Sequence, residues 1–253
     1  MRFGVLLKKE LSEILRTYKI YVVPVIFLAF GLVSPILAKI MPELIRSLAP
    51  DIRIEVPTPT WLDAFAQYFK NLTQVGLLAV ILTTMGVVAD EKSKGTVLLV
   101  LSRPVSRYAL VFAKFTASVA LLAASVGLSF VACLYYTHVL FPDLAWTAAS
   151  WATLVFFVYA IFIASLAIAA SSIARSNVAA GGMAVGGFFL VSLLPSVHRV
   201  FARYSPGALN TYAGEILAQV KVPGDAAGAV VTTMVLSLAL VTLGSWVFTR
   251  QEL

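Results

Sequence analysis

The chain has 253 residues, 60% hydrophobic and 12% charged, with a mean hydropathy of +0.93. Soluble domains carry about 45–50% apolar and about 25% charged residues, so this is the composition of a chain that lives in lipid. The net charge of +7 is carried by residues beside apolar runs rather than on one polar face, which reads as a topology signal and not as a nucleic-acid footprint. The single cysteine, Cys133, lies inside an apolar run, so neither a disulfide framework nor a cysteine metal site is available.

Residues 1–19 are predicted to form an amphipathic helix. Phe3, Leu7, Leu11, Ile14, Leu15 and Tyr18 share one stripe, with Lys8, Lys9, Ser12, Glu13, Arg16 and Lys19 opposite. A basic helix of this kind, leading straight into an apolar run, lies in the headgroup plane. It serves either as an anchor or as a docking element. Its charges are too many for a signal-peptide core, so no cleavable leader is expected.

A helix needs about 20 apolar residues to cross about 30 Å of hydrocarbon. Six stretches qualify: Ile20–Ala38, Asn71–Ala89, Phe115–Phe141, Thr147–Ala174, Val178–Val197 and Ala226–Thr249. Barrel strands would be half that length and would alternate polar with apolar. The expected fold is therefore an all-α membrane protein with six transmembrane helices. The expected spans hold no Asp, Glu, Lys or Arg, and their one histidine, His138, is near an end.

Between the first and second spans, Pro42, Pro50, Pro57 and Pro59 are expected to break the chain into short pieces, and Thr60 with Asp63 resembles a helix start. The next connection, 90–107, places the apolar run Val97–Leu101 between charged flanks, and Pro104 ends it. An apolar patch in a polar loop marks a contact, either with a partner or with the chain's own helices. Only Arg175-Ser176-Asn177 joins the fourth and fifth spans, which therefore form a hairpin. In the fifth, Gly182 and Gly186 make a small-xxx-small pair that permits close approach of a helix, from the same chain or from a second copy. The last connection, 198–225, opens with His198, Arg199 and Arg203, and Leu209, Tyr212, Ile216 and Val220 recur at helical spacing. That pattern predicts a short amphipathic helix.

Orientation follows from the basic residues. The N-terminal segment, the second and fourth connections and the tail hold 12 Lys and Arg in 51 residues, against 7 in 65 for the other three connections. The denser set faces the cytoplasm, which gives N-in and C-in. Chemistry-bearing motifs are absent. Two histidines without an H-E-x-x-H exclude a zinc protease, and no glycine precedes a lysine, so the sequence has no G-x-x-x-x-G-K-[ST] phosphate loop. Proton- or sodium-coupled carriers place ionisable groups at the midplane, which disfavours secondary transport.

Glu91-Lys-Ser-Lys-Gly95-Thr96-Val97-Leu98-Leu99-Val-Leu101-Ser-Arg-Pro104-Val-Ser-Arg107, followed by Lys114, resembles the ABC-2 type permeases, the membrane subunits of type V ABC exporters. The opening Lys8-Lys9-Glu10-Leu11 with Arg16 is similar to that family's interfacial helix. The six spans and the short helix before the last one also fit, over essentially the whole chain. The subfamily most similar is that of the nitrous-oxide reductase maturation permeases. The resemblance implies one permease domain over 1–253 that forms a homodimer in a bacterial or archaeal plasma membrane, with two cytoplasmic ABC ATPase subunits. It places Glu91, Gly95, Thr96, Val97, Leu98, Leu99, Leu101, Pro104 and Arg107 in a coupling segment against the ATPase, beside Lys8, Lys9, Glu10, Leu11 and Arg16. Gly182 and Gly186 are candidates for dimer packing. No cofactor is expected on this chain, since ATP and Mg belong to the partner, and no catalysis of its own. The competing readings are a non-transport membrane protein, such as an assembly or immunity factor, and a secondary carrier.

The charge count yields a direct test. With Cys133→Ser as background, single cysteines at Pro57 and Gly207 should react with an impermeant maleimide on intact cells, and cysteines at Ser93 and Gln251 should not. Labelling at Ser93 would reverse the orientation.

Overall fold

The structure, a computed structural model, describes residues 3–48, 58–93, 95, 106–219 and 222–251. Among them every regular element is a helix. Helix α1 (Phe3–Arg16) bends at Thr17 into α2 (Lys19–Leu48). The next span is built from α3 (Trp61–Asn71), a π-helical turn at Leu72–Gly76, α4 (Leu77–Thr84) and α5 (Gly86–Ser93). Then come α6 (Arg107–Leu140), α7 (Trp146–Ile173), α8 (Asn177–Val197), the short α9 (Arg199–Tyr204), α10 (Ala208–Gln219) and α11 (Ala226–Arg250).

Six stretches are long and apolar enough to cross a membrane: Lys19–Ser47, Trp61–Ser93, Arg107–Leu140, Trp146–Ile173, Asn177–Val197 and Ala226–Arg250. The expected six are present, with three informative shifts. Helix α2 runs on through Pro24, Pro35 and Pro42, so Pro42 does not break it. In an apolar helix, packing and neighbouring groups compensate for the donor that proline removes. The second span begins at Trp61, where the Asp63 carboxylate accepts from the Thr60 N–H (2.7 Å) and hydroxyl (2.9 Å), as the Thr60/Asp63 pair led one to expect. The third helix starts at Arg107, two turns before Phe115. The Ser106 hydroxyl accepts from the Ala109 N–H at 3.1 Å and caps it. Lys114 therefore lies inside a span-length helix.

Helix α7 is the centre of the bundle. In its most apolar window 78% of residues are buried, against 22% for α8 and 28% for α11. Between helices in lipid, hydrophobicity gives no preference, and small residues that admit close contact decide the packing. Ala148, Ala149, Ala152, Ala160, Ala164 and Ala167 supply them and are all buried. A Cβ on Gly244 of α11 would come within 2.9 Å of the Ala169 Cα on α7, so these two helices approach closely. Helix α10, the expected short amphipathic helix, is packed against α7 with Leu209, Tyr212 and Ile216 buried. It closes the end of the bundle opposite the termini.

Helices α2 and α6 form the other close pair. A Cβ on Gly31 would collide with the Ser129 carbonyl, and the Ser129 hydroxyl lies 2.7 Å from the buried Tyr68 hydroxyl. A leucine at Gly31 should destabilise the fold by about 1–3 kcal/mol, the usual cost of overpacking. Gly127→Leu, with nothing within 4 Å of its added Cβ, should be neutral or mildly stabilising. Thermal melts in detergent separate the two.

Candidate coupling site

Helix α1, the ends of α5, α7 and α11 and the starts of α6 and α8 gather at one end of the bundle, and most of the described Lys and Arg residues lie there. The centre is Lys114. Its side chain is 1% exposed, seven residues into α6, and it donates to Glu10 Oε2 at 3.0 Å and to Glu91 Oε1 at 2.8 Å. Seven residues of helix are about 10 Å, so the ammonium sits below the helix start but well short of its middle. A cation there is tolerated only when paired. Lys9 completes the cluster, with Glu10 at 2.9 Å, Glu13 at 3.0 Å and Glu91 at 3.2 Å. The carboxylates of Glu10, Glu13 and Glu91 come within 4.8 Å of one another, and the two ammonium groups between them supply the countercharge.

This pairing decides how α1 docks. Its buried residues are Leu6 and Glu10, while Phe3, Leu11, Leu15 and Tyr18 of the expected apolar stripe are exposed. Most of the apolar face is thus turned outward, with Leu7 and Ile14 half-buried, and the helix is held by its carboxylates together with Leu6. Burial works to lower the Lys9 pKa, but the hydrogen bond to Glu10 and the charges of Glu10 and Glu91 outweigh it, and the pKa is raised. Burial likewise works to raise Glu13, but the hydrogen bond from Lys9 and the charges of Lys114 and Lys9 hold its carboxyl below the ordinary 4.5. A lowered carboxylate contributes stability that is complete above its ordinary value and is lost as the pH falls through the lowered one. Lys9 stays charged throughout that range.

The three residues that close α5 each hold a different neighbour. Asp90 accepts from the Asn177 side-chain amide at the start of α8. Glu91 takes Lys114 and Lys9. Lys92 donates to the carbonyls of Ser172 (2.8 Å) and Ala174 (2.5 Å) at the end of α7. One turn earlier the Ser171 hydroxyl accepts from the N–H groups of Val88 and Ala89, both at 3.0 Å. Gly95 has φ +68°, a conformation that glycine adopts without strain, and its N–H donates to the Lys92 carbonyl at 3.1 Å.

The residues expected to act in coupling are distributed as follows. Glu91, Lys9 and Glu10 come together. Lys8 and Arg16 are exposed on α1, as is Leu11. Arg107 stands apart from them and donates to carbonyls at the end of α11. Thr96, Val97, Leu98, Leu99, Leu101 and Pro104 lie outside the described residues. Gly182 and Gly186 have nothing within 4 Å of an added Cβ, whereas Gly181 meets Met85 and Gly187 meets Leu166. The intrasubunit contacts of α8 thus use the other two glycines. Reading the sequence missed Asp90, Lys92 and Asn177, and it placed Lys114 just outside a span. The overlooked signal is three consecutive charged residues at a helix end, which must point in three directions.

Six span-length helices, with buried ion pairs among the helix ends on one side, define a multi-pass membrane protein. The family model of ABC-2 family transporter proteins matches residues 5–253, and the chain belongs to that family. That family is one of transporter proteins, and six span-length helices fit a membrane component of such a system. The uncharacterized transmembrane protein YxlG of Bacillus subtilis (strain 168) is 28% identical over 149 residues, 56% of this chain and 56% of that protein. The chain spans little more than half the length of that relative.

Breaking a buried ion pair from one side costs about 3–5 kcal/mol. Lys114→Met should therefore lower the melting temperature in detergent markedly, since it leaves Glu10 buried beside Lys9 alone. Adding Glu10→Gln should recover part of the loss, and the double-mutant cycle should give a coupling energy of at least about 0.5 kcal/mol. Additive effects would mean that the pair does not hold α1.

Proposed function

We propose that this chain is the permease subunit of an ATP-driven exporter, working as a homodimer with two ABC ATPase subunits in a bacterial or archaeal plasma membrane, with both termini cytoplasmic. Family membership supports the transport role, and one observation carries the coupling: Glu91, at the base of segment 94–105, is locked to α1 through Lys9 and to α6 through Lys114. A partner pressing on that segment would act on both helices at once. The basic residues gathered at this end support its being cytoplasmic. ATP is assigned to the partner because the sequence holds no phosphate loop.

The homodimer is assigned to α8. Val178, Phe189, Leu190 and Leu193 are exposed on this helix, and its Gly182 and Gly186 have open space before them. Glycines four apart admit a second helix closely. Secondary transport finds no support in the buried charges, since Lys114 is already neutralised and lies near a helix end rather than at the midplane.

The test is biochemical. The purified chain alone should bind no nucleotide by calorimetry, and an ABC ATPase produced with it should co-purify. Glu91→Gln should preserve assembly through the remaining Lys114–Glu10 pair but abolish the permease-dependent stimulation of ATP hydrolysis. Nucleotide binding by the isolated chain, or unchanged stimulation with Glu91→Gln and Leu99→Asp combined, would refute the assignment.

A further inference from the structure

Segment 94–105 leaves and rejoins the described helices through Lys92 and Arg107, and these two cations meet at one place. Lys92 Nζ donates to the carbonyls of Ser172 and Ala174 at the end of α7, and to Gln251 Oε1 at 3.2 Å. An ammonium has three donors, and these contacts use them all. Arg107 Nη1 donates to the carbonyls of Phe248 (2.8 Å), Thr249 (3.4 Å) and Gln251 (2.8 Å) at the end of α11. The ring of Phe248, fully buried, lies 5.9 Å from the Lys92 ammonium and 5.5 Å from the Arg107 guanidinium. Gln251 closes the node by donating from Nε2 to the Ile173 carbonyl at 3.0 Å.

The last carbonyls of a helix have no partner within it, and the negative end of the helix dipole favours a cation there. Two helix ends are thus capped by the two residues that flank the segment. Two turns from the node, Gly244 brings α11 against the α7 backbone at Ala169, so the helices are also joined by packing. At its other end α11 meets α9, through Arg203 and Asp225 at 3.4 Å and through the Thr232 hydroxyl donating to the Tyr204 carbonyl at 2.7 Å.

We infer that Lys92 and Arg107 are positioning residues of the transport cycle, clamping the end of α5 and the start of α6 to the C-terminal ends of α7 and α11 so that a displacement of these two helix ends moves α7 and α11 as one body. The inference rests on the proposal that the ATPase acts on segment 94–105. It gives the stroke a path separate from the Glu91 ion pairs. Those pairs hold α1 and α6, whereas the cation–carbonyl contacts drive the central helix and, through α11, the far end of the bundle.

The experiment uses the full chain in complex with its ABC ATPase, in a Cys133→Ser background, with an environment-sensitive fluorophore on Ala227→Cys at the exposed start of α11. ATP should change the emission. Lys92→Met and Arg107→Met keep the apolar stems but remove the donors. Lys92→Met should retain assembly and ATP hydrolysis while losing the ATP-driven change, Arg107→Met should lose that change as well, and Lys92→Arg and Arg107→Lys should restore it. Should a methionine variant fail to assemble, Gln251→Ala removes one acceptor of Lys92 and the side-chain tie from α11 to the Ile173 carbonyl, with both cations in place, and should reduce the change. An ATP-driven change that persists in the double methionine variant, or is unaffected by Gln251→Ala, overturns the inference while leaving the proposed function standing. An unaltered chain that binds no ABC ATPase overturns both.

Discussion

Everything at the polar end of this protein follows from one constraint, the burial of the Lys114 ammonium inside a span-length helix. An ion taken out of water costs several kcal/mol even after relaxation, and in a membrane segment it persists only with a partner. Glu10 and Glu91 supply the partners at 3.0 and 2.8 Å, and they come from two distant places in sequence, before the first span and at the end of the second. Satisfying Lys114 therefore fixes α1 and the end of α5 at once. It also explains the outward apolar face of α1: once Glu10 must be buried, Leu11 and Leu15 have to face away. A stripe of this kind suits the lipid–water boundary, where its apolar side is accommodated without a protein partner.

From the end of α5 the constraints spread through neighbouring residues. Asp90, Glu91 and Lys92 turn to α8, to α6 with α1, and to α7. Successive residues of a helix point about a third of a turn or less apart, so three polar side chains in a row can serve three neighbours only where those neighbours surround the helix. That condition holds at this end of the bundle, and it makes a single turn of α5 the meeting point of most other helix ends.

The interior obeys a different rule. Lipid and side chains are equally apolar, so burial by itself gives little preference for one neighbour over another. Small residues make the choice instead: the alanines of α7, Gly244 against Ala169, and Gly31 against Ser129. Hydroxyls inside the spans find acceptors in their own helix, as Thr83 does with Ala79 and Ser172 with Ile168, at 2.9 and 2.8 Å, which removes their need for a partner elsewhere. Polar specificity is thereby left to few contacts, among them Tyr68 with Ser129 and the Asn71 amide with Ser34 at 3.0 Å.

The number of spans, the α7–α8 hairpin, the Thr60/Asp63 helix start and the amphipathic α10 were all legible in the amino-acid order, because each depends on residues within a few turns of one another. The family resemblance was legible too, since motif order and spacing are properties of the chain. Less could be read where a helix had charged residues near its end. Hydropathy started the third span at Phe115 because it scores Lys114 as exposed, and only the acids 23 and 104 residues away in sequence show otherwise. The docking face of α1, the capping of α11 by Arg107 and the division of labour among the α8 glycines belong to the same class. Each is a contact between distant segments, and local periodicity carries no information about which distant group will arrive. Sequence alone determined that this chain crosses the membrane and where its helices lie. Tertiary structure decided which charges meet, because the cost of burying an ion is met only by a partner at hydrogen-bonding distance, wherever in the chain that partner resides.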